Sequence, residues 1–514
     1  MIRSLFSKKI FLFLFFFISS SSIRCFSQAL VLSDIKIKIN LDERFQTIHH
    51  FGASDAWSIQ FLGNWPNQKR EAIADLLFSQ EMESGKPKGI GLSMWRFNLG
   101  AGSSEQGNES GIKDEWRRAE SFFGSNGNLD FTKAEGQVWF AKAAKKRGTK
   151  KLLLFSNSPP VQFTRNGKAY SSDGKSNLDE SKAEDFAKYI SSVISGFYKM
   201  KLEPNYISPV NEPQWDWSDG GQEGNPYLNS EVAQFVRVLN QTLKTNEIDA
   251  QIDIAEAGKI NYLFEQNDKP GRGNQIDEFF NPTSINYIGD LSHVSNTISG
   301  HSYFTTSPIN ASLDLREKLS SKISSVPELQ YWMSEYCILG GNEGEINGSG
   351  RDLGMNSALY LARVIHQDLT FSNASAWNWW LAVSPYNYKD GLVYIDKKKE
   401  DGNFYESKIL WTLGNFSRFV RPGYERIGIE TSLPNSEKFF ASGFQDPKSK
   451  EIVLVLINSN PEAVKISLEN QFLGNIPMKG YLTSERSNLS PFEIDLKNFE
   501  LPSESILTLL ITPK

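Results

Sequence analysis

The chain has 514 residues, with 55 Lys and Arg against 60 Asp and Glu and a formal net charge of −5, a balance that argues against nucleic acid and anionic membrane as partners. Its length allows a large buried core, and its two cysteines, Cys25 and Cys337, are too few for a disulfide framework. Twelve tryptophans are the compositional oddity, since flat indole faces suit both cores and the C–H faces of sugar rings.

The first residues read as an export signal. Arg3, Lys8 and Lys9 precede an apolar run from Ile10 to Ile18, and serines and small residues follow as far as Ser27. That run is too short to span a bilayer, for which about 20 residues are needed. Cleavage is expected after Ser27, with Cys25 at the minus-three position, because Arg24 directly before Cys25 spoils a lipoprotein reading. A mature chain beginning near Gln28 loses Arg3, Lys8, Lys9 and Arg24, carries a net charge of −9 and keeps Cys337 alone. The expected address is secreted or periplasmic, the expected state a monomer without membrane insertion.

From Ala29 to Phe45 the pattern alternates as a strand does, with Ile35, Ile37 and Ile39 on one side and Lys36 and Lys38 on the other. Eight short apolar strands are then expected: Ile48 to Ala53, Met94 to Leu99, Lys151 to Ser156, Tyr206 to Val210, Gln251 to Ala255, Ser299 to Tyr303, Gln330 to Ser334 and Ser375 to Trp379. Helical stretches separate them, such as Lys133 to Lys146, Ser181 to Lys199 and Ser230 to Lys244. Eight strands alternating with helices predict a parallel (β/α)8 TIM barrel over residues 46–422, whose chemistry collects at the C-terminal strand ends. From Gly423 onward alternating strands and turn signals take over, including Lys438 to Phe444, Glu451 to Asn458 and Ser505 to Ile511. Residues 28–45 and 423–514 together are read as an attached antiparallel β-sandwich built from both chain ends.

Two carboxylates stand where short buried strands end. Glu212 follows Tyr206 to Val210 within Asn211-Glu212-Pro213-Gln214-Trp215, and Glu335 follows Gln330-Tyr331-Trp332-Met333-Ser334. A glycosidase needs two such acids at one sugar bond. Cys337 lies two residues beyond Glu335, but no suitably placed histidine base is evident for a thiol nucleophile. Zinc spacing, phosphate loops and dinucleotide fingerprints are missing from the sequence, so neither cofactor nor metal is expected.

The landmarks Phe51-Gly52-Ala53-Ser54-Asp55-Ala56-Trp57, Trp95-Arg96-Phe97-Asn98-Leu99-Gly100-Ala101-Gly102-Ser103, Ser156-Asn157-Ser158-Pro159-Pro160, Ser208-Pro209-Val210-Asn211-Glu212-Pro213 and Phe416 to Gly423 resemble, in order and placement, glycoside hydrolase family 30 of clan A. Gln214-Trp215-Asp216-Trp217 and Asn98 to Ser103 look most like its endo-β-1,6-galactanase branch. The resemblance implies a retaining enzyme acting on a polysaccharide or oligosaccharide, with Glu212 as acid/base and Glu335 as nucleophile. It makes Asn211 the partner of the sugar 2-hydroxyl, the alternative being a loop cap. It places Arg96 beside Glu335, against a purely structural ion pair. It puts His301 or Tyr303 in contact with the nucleophile, although a lone histidine is also commonly a satisfied structural group. Asp55, Trp57, Asn157 and one of Trp379 and Trp380 become walls of the sugar subsite. Trp379 is preferred because it shares a face with Trp377. Trp215 and Trp217 fall on the leaving-group side, unless they simply pack their loop. A retaining pair predicts carboxyl groups about 5–5.5 Å apart. Alternative activities within the family are β-1,6-glucanase, xylanase and an exo-acting β-glycosidase. Outside the enzyme class, a non-catalytic carbohydrate-binding protein is the competing account.

Overall fold

The computed structural model describes residues 34–512 except 435, 471–475 and 495–497. The predicted export signal, 1–27, lies outside the described residues. No helix among the described residues is long and apolar enough to cross a membrane.

Eight parallel strands close into a barrel: His50–Ser54, Met94–Asn98, Lys151–Phe155, Tyr206–Ser208, Gln251–Ala257, Val294–His301, Gln330–Tyr336 and Ala376–Ser384. Closure is set by Trp332 opposite Ala376 and Ala376 opposite His50. Most of these strands are buried on both faces, which is why they read as continuous apolar or small runs rather than alternating ones. Helices such as Glu135–Lys146, Ala183–Lys199 and Asn229–Thr245 wrap the outside with amphipathic faces.

All eight expected barrel strands are present. The sixth begins five residues earlier than predicted, because Ser295, Thr297 and Ser299 hide it as a polar run. These hydroxyls are tied up inside: Thr297 and Ser299 donate to the buried Asp253, and Ser295 bonds Thr297 and the carbonyl of Ile252. A short extension not foreseen, Gly391–Ile395 and Phe404–Glu406, continues the sheet beyond the end of the eighth strand.

Apart from a small hairpin, Met82–Glu83 with Lys86–Pro87, the other nine strands of the described residues form one sheet that draws on both ends of the chain. Asp34–Thr47 pairs antiparallel with Glu425–Thr431 and parallel with Val464–Leu468, the single parallel pairing of this sheet among the described residues. The sheet bends over its own core, where Ile35, Ile37 and Ile466 pack with Leu454, Leu456, Leu507 and Leu509. Strand Ile452–Asn458 faces two ways. Ile452, Leu454 and Leu456 enter this core, whereas Val453, Val455 and Ile457 join the core of the barrel. Helices Met355–Thr370 and Lys408–Ser417 lie between the two layers and contact the sheet.

Candidate active site

Strand ends of the barrel bring Arg96, Asn211, Glu212, Glu256, His301, Tyr303 and Glu335 into one buried cluster. Arg96, from the second strand, donates through Nη1 to Glu335 Oε2 at 2.5 Å and through Nη2 to Glu256 Oε1 and Asn211 Oδ1, each at 3.0 Å. His301 closes the sixth strand, with Nδ1 3.0 Å from Glu212 Oε1 and Nε2 2.9 Å from Glu256 Oε2. The same Nδ1 lies 3.7 Å from Glu335 Oε1, to which the Tyr303 hydroxyl donates at 3.0 Å. Oxygens of Glu212 and Glu335 lie within 4.8 Å of each other. Both histidine and tyrosine therefore reach the expected pair, with Tyr303 the direct partner of Glu335 and His301 the direct partner of Glu212.

Backbone geometry marks the place as well. Glu212 and Glu256 both adopt left-handed φ values, 45° and 50°, and the Glu212 amide donates to the Glu256 carbonyl at 2.8 Å. Residues other than glycine avoid this region at a cost of about 1 kcal/mol or more, and such strain collects at functional sites.

Charge inside the cluster is dense. Burial pushes the Glu335 carboxyl up; His301 and Arg96 pull it down, Glu212 pushes it further, and the net displacement is upward. Burial also pushes on Glu256, but Arg96 and His301 prevail and hold it down at about 2. For His301 burial favours the neutral ring, yet Glu335, Glu212 and Glu256 raise it to about 10. Cys337 is buried and its thiol is pushed up, mainly by burial, which leaves it a poor nucleophile.

Around this centre several buried polar atoms have no protein partner. Asp55 accepts from the Asn98 amide through Oδ1 at 2.7 Å and leaves Oδ2 unpaired, while burial raises its carboxyl to about 8. Asn157 donates to Asn98 Oδ1 and leaves Oδ1 unpaired, and Trp57 Nε1 is unpaired too. Asn211 gives its oxygen to Arg96, so its NH2 group is the end left to donate.

One predicted wall needs correction. Trp379 is fully buried, bonds the Asp390 carbonyl through Nε1 at 2.7 Å and packs on Trp377, whose own indole donates to Asp368 on helix Met355–Thr370. Trp377 faces the outer helices, so sharing its face puts Trp379 outside the mouth. Trp380 takes the inner place, edge-on to Trp57 at 5.4 Å and 6.2 Å from Phe155, the ring beneath the Arg96 guanidinium. Trp217 is half-buried with its ring against Gly224, and its indole donates to the Glu212 carbonyl at 3.1 Å. Trp215 is half-buried against Gly258, with the ammonium of Lys259 5.4 Å from its ring.

Sequence reasoning missed Glu256, Ser208, Ser334 and Glu223. Ser208 and Ser334 donate to the two oxygens of Glu256. Glu223 is buried and binds the Ala101 amide and the Ser103 amide and hydroxyl, which fastens the loop after Glu212 to the loop after the second strand. Glu256 had a signal, a carboxylate inside Ala255-Glu256-Ala257 at a strand end, whereas Glu223 in Gly220-Gly221-Gln222-Glu223-Gly224 had none.

A closed parallel barrel with two carboxylates at the ends of its fourth and seventh strands has the architecture of a barrel glycoside hydrolase. The family model described as O-glycosyl hydrolase family 30 matches residues 34–394, and this chain belongs to that family. It is 28% identical over 187 residues to the glucuronoxylanase XynC of Bacillus subtilis, a match spanning 32% of this chain and only 40% of that enzyme's length. A conserved exported protein from Bacteroides fragilis superposes with a TM-score of 0.86 at 34% identity, covering 92% of this chain and 99% of the other. Similar in fold at lower identity are a family 30 xylanase C from Talaromyces cellulolyticus (TM-score 0.67, 21% identity, 93% and 100% coverage) and the endo-β1,6-glucanase BT3312 (0.66, 17%, 93% of each chain).

Proposed function

We propose that this family 30 glycoside hydrolase is an exported, retaining endo-β-1,6-galactanase acting on the galactan side chains of arabinogalactan. The observation that carries the retaining reading is the approach of an oxygen of Glu212 and one of Glu335 to within 4.8 Å, shorter than the roughly 6.5–9.5 Å of inverting pairs and in keeping with the about 5–5.5 Å of retaining ones. Glu335 attacks the anomeric carbon while Glu212 gives its proton to the leaving oxygen. Glu212 then takes a proton from water, which releases the sugar from Glu335. Once Glu212 holds its proton, its repulsion of Glu335 vanishes, and Arg96, His301 and Tyr303 all favour the carboxylate needed for attack. The NH2 group of Asn211 donates to the sugar 2-hydroxyl. Asp55, Asn157 and Trp57 form the wall of the sugar subsite, with Trp380 completing it in place of Trp379.

Galactan is favoured by the Asn98–Ser103 and Gln214–Trp217 segments, and by half-buried Trp215 and Trp217 beside Glu212, which suit a further sugar on the leaving-group side. A β-1,6-glucanase is the second reading, because the structurally similar BT3312 carries that name. Export is supported by the N-terminal apolar run and by the likeness to an exported protein. Product analysis on β-1,6-galactan, β-1,6-glucan and glucuronoxylan tests the reading. A ladder of β-1,6-linked galactose oligomers from the first alone supports it, cleavage of only glucan or xylan overturns the galactan assignment, and silence on all three favours a small glycoside substrate or a binding role.

A further inference from the structure

His301 sits in a position that neutral imidazole does not satisfy on its own. Its two nitrogens face carboxylate oxygens of Glu212 and Glu256, and an ionised carboxylate only accepts hydrogen bonds. With Glu212 ionised, the ring needs both N–H groups to satisfy both neighbours. Glu256 is the fixed end of this arrangement. Oε1 is held by Arg96 Nη2 and the Ser208 hydroxyl, and Oε2 by His301 Nε2 and the Ser334 hydroxyl at 2.5 Å. With its backbone left-handed and its side chain fully buried, Glu256 has no other partners to turn to.

Charge counting extends the point. With His301 protonated and Glu212 carrying the catalytic proton, the cluster holds two cations, Arg96 and His301, against two anions, Glu256 and Glu335. In the first chemical step Glu335 forms a bond to the anomeric carbon and loses its charge, while the leaving oxygen takes the proton of Glu212, which becomes the anion. In the second, Glu212 removes a proton from water, the hydroxide joins the anomeric carbon, and the bond to Glu335 breaks with its electron pair returning to the carboxylate. Net charge is unchanged throughout, but one negative charge travels from Glu335 to Glu212 and back. His301 Nδ1 lies 3.7 Å from the first carboxylate and 3.0 Å from the second.

We propose that His301 stays a cation through the whole cycle, its Nδ1–H following the travelling negative charge, and that Glu256 is the positioning residue that keeps it charged and aimed. The proposal rests on the acid and nucleophile roles given above to Glu212 and Glu335. Charged or titratable groups facing His301 are Glu212, Glu256, Glu335 and Tyr303, with Arg96 bound to two of them and Asp253 behind Ser208. The upward displacement of His301 agrees with the geometry.

The test uses the full mature chain labelled with 15N-histidine. Among the five histidines, His49, His50 and His366 are driven neutral, chiefly by burial, and the His301→Gln spectrum assigns the signal of interest. At pH 8 the expected result is a doubly protonated His301 ring; a neutral tautomer at that pH overturns the proposal. This readout needs no substrate, so it stands apart from failure of the galactan or glycosidase reading. In Glu256→Gln the His301 ring should lose its proton at a lower pH than in the parent chain, because one of the three carboxylates that raise it is gone. A slower enzyme whose His301 ring still loses its proton at the parent pH would show Glu256 to be merely structural and overturn its assignment.

Discussion

Among the described residues two arginines are buried to zero exposure, Arg96 and Arg316, and their surroundings differ in kind. Arg316 holds Asp368 at 2.8 Å behind the barrel, and its other donors reach the Thr305 and Ser312 carbonyls and the Ser302 and Ser312 hydroxyls. Asp368 in turn accepts from Ser302 and the Trp377 indole. One cation meets one anion and the polar neighbours are paired, which is what burial of charge requires. Arg96 lies among Glu335, Glu256 and, through His301, Glu212, and its Nε has no partner. The first arrangement closes on itself; the second balances two cations against two anions and keeps a third carboxyl, Glu212, to exchange a proton with the reacting group.

That contrast breaks most visibly at the carboxylates. Glu335→Gln should lower turnover by about 10⁴-fold or more, at or beyond the upper end of what one positioned acid or base supplies, without lowering Tm. Glu212→Gln should cost about 10²–10⁴-fold on polymer but far less on an aryl glycoside with a good leaving group. Wild-type rates in Glu335→Gln would remove the nucleophile assignment. On the closed side, Arg316→Met leaves Asp368 buried without its cation and should cost about 3–5 kcal/mol in denaturant unfolding, with kcat of the folded enzyme unchanged. A fall in kcat would show that the two networks are coupled.

The adjacent tryptophans sharpen the same division. Trp379→Ala should destabilise by about 3–5 kcal/mol and leave KM alone, whereas Trp380→Ala should raise KM with a smaller change in Tm. The smallest effect concerns pH. Asp55 is raised in the folded protein from 3.8 to about 8, so its burial favours folding at low pH and this contribution is lost as pH rises towards 8. Asp55→Asn should therefore raise Tm by a few degrees at pH 8 while weakening substrate binding. Glu256 and His301 act with opposite signs: the contribution of Glu256 is lost as pH falls from 4.5 towards 2, and that of His301 as pH rises from 6.5 through about 10. Thermal scans across pH should show their joint stabilisation greatest between about 4.5 and 6.5, and lost in Glu256→Gln.

Strand ends were legible because a barrel strand is short, apolar and buried on both faces, so Asn211-Glu212-Pro213 and Ser334-Glu335 stand out as polar interruptions. Glu256 was harder to read because its partners, Arg96, Ser208, His301 and Ser334, come from four other strands, and no spacing in one chain reports such convergence. The orientation of Trp379 failed for a local reason. Alternation gives relative faces along a strand, but its absolute phase is set by the helix it packs on, here through Asp368. The extension at Gly391–Ile395 depends on tertiary pairing beyond the barrel, which the turn signals beside it, Asp390-Gly391 and Asp401-Gly402, do not report.

Asp34–Thr47 leaves the ribosome long before its partner, for Lys38 meets Glu430, 392 residues later in the chain. Its backbone edge stays open until that partner emerges, and the two-sided strand Ile452–Asn458, which both cores need, arrives later still. Folding of the sheet therefore has very long loops to close, a slow step that exposes β edges to neighbouring chains. Yield in refolding or heterologous expression will be governed by how long that first strand waits.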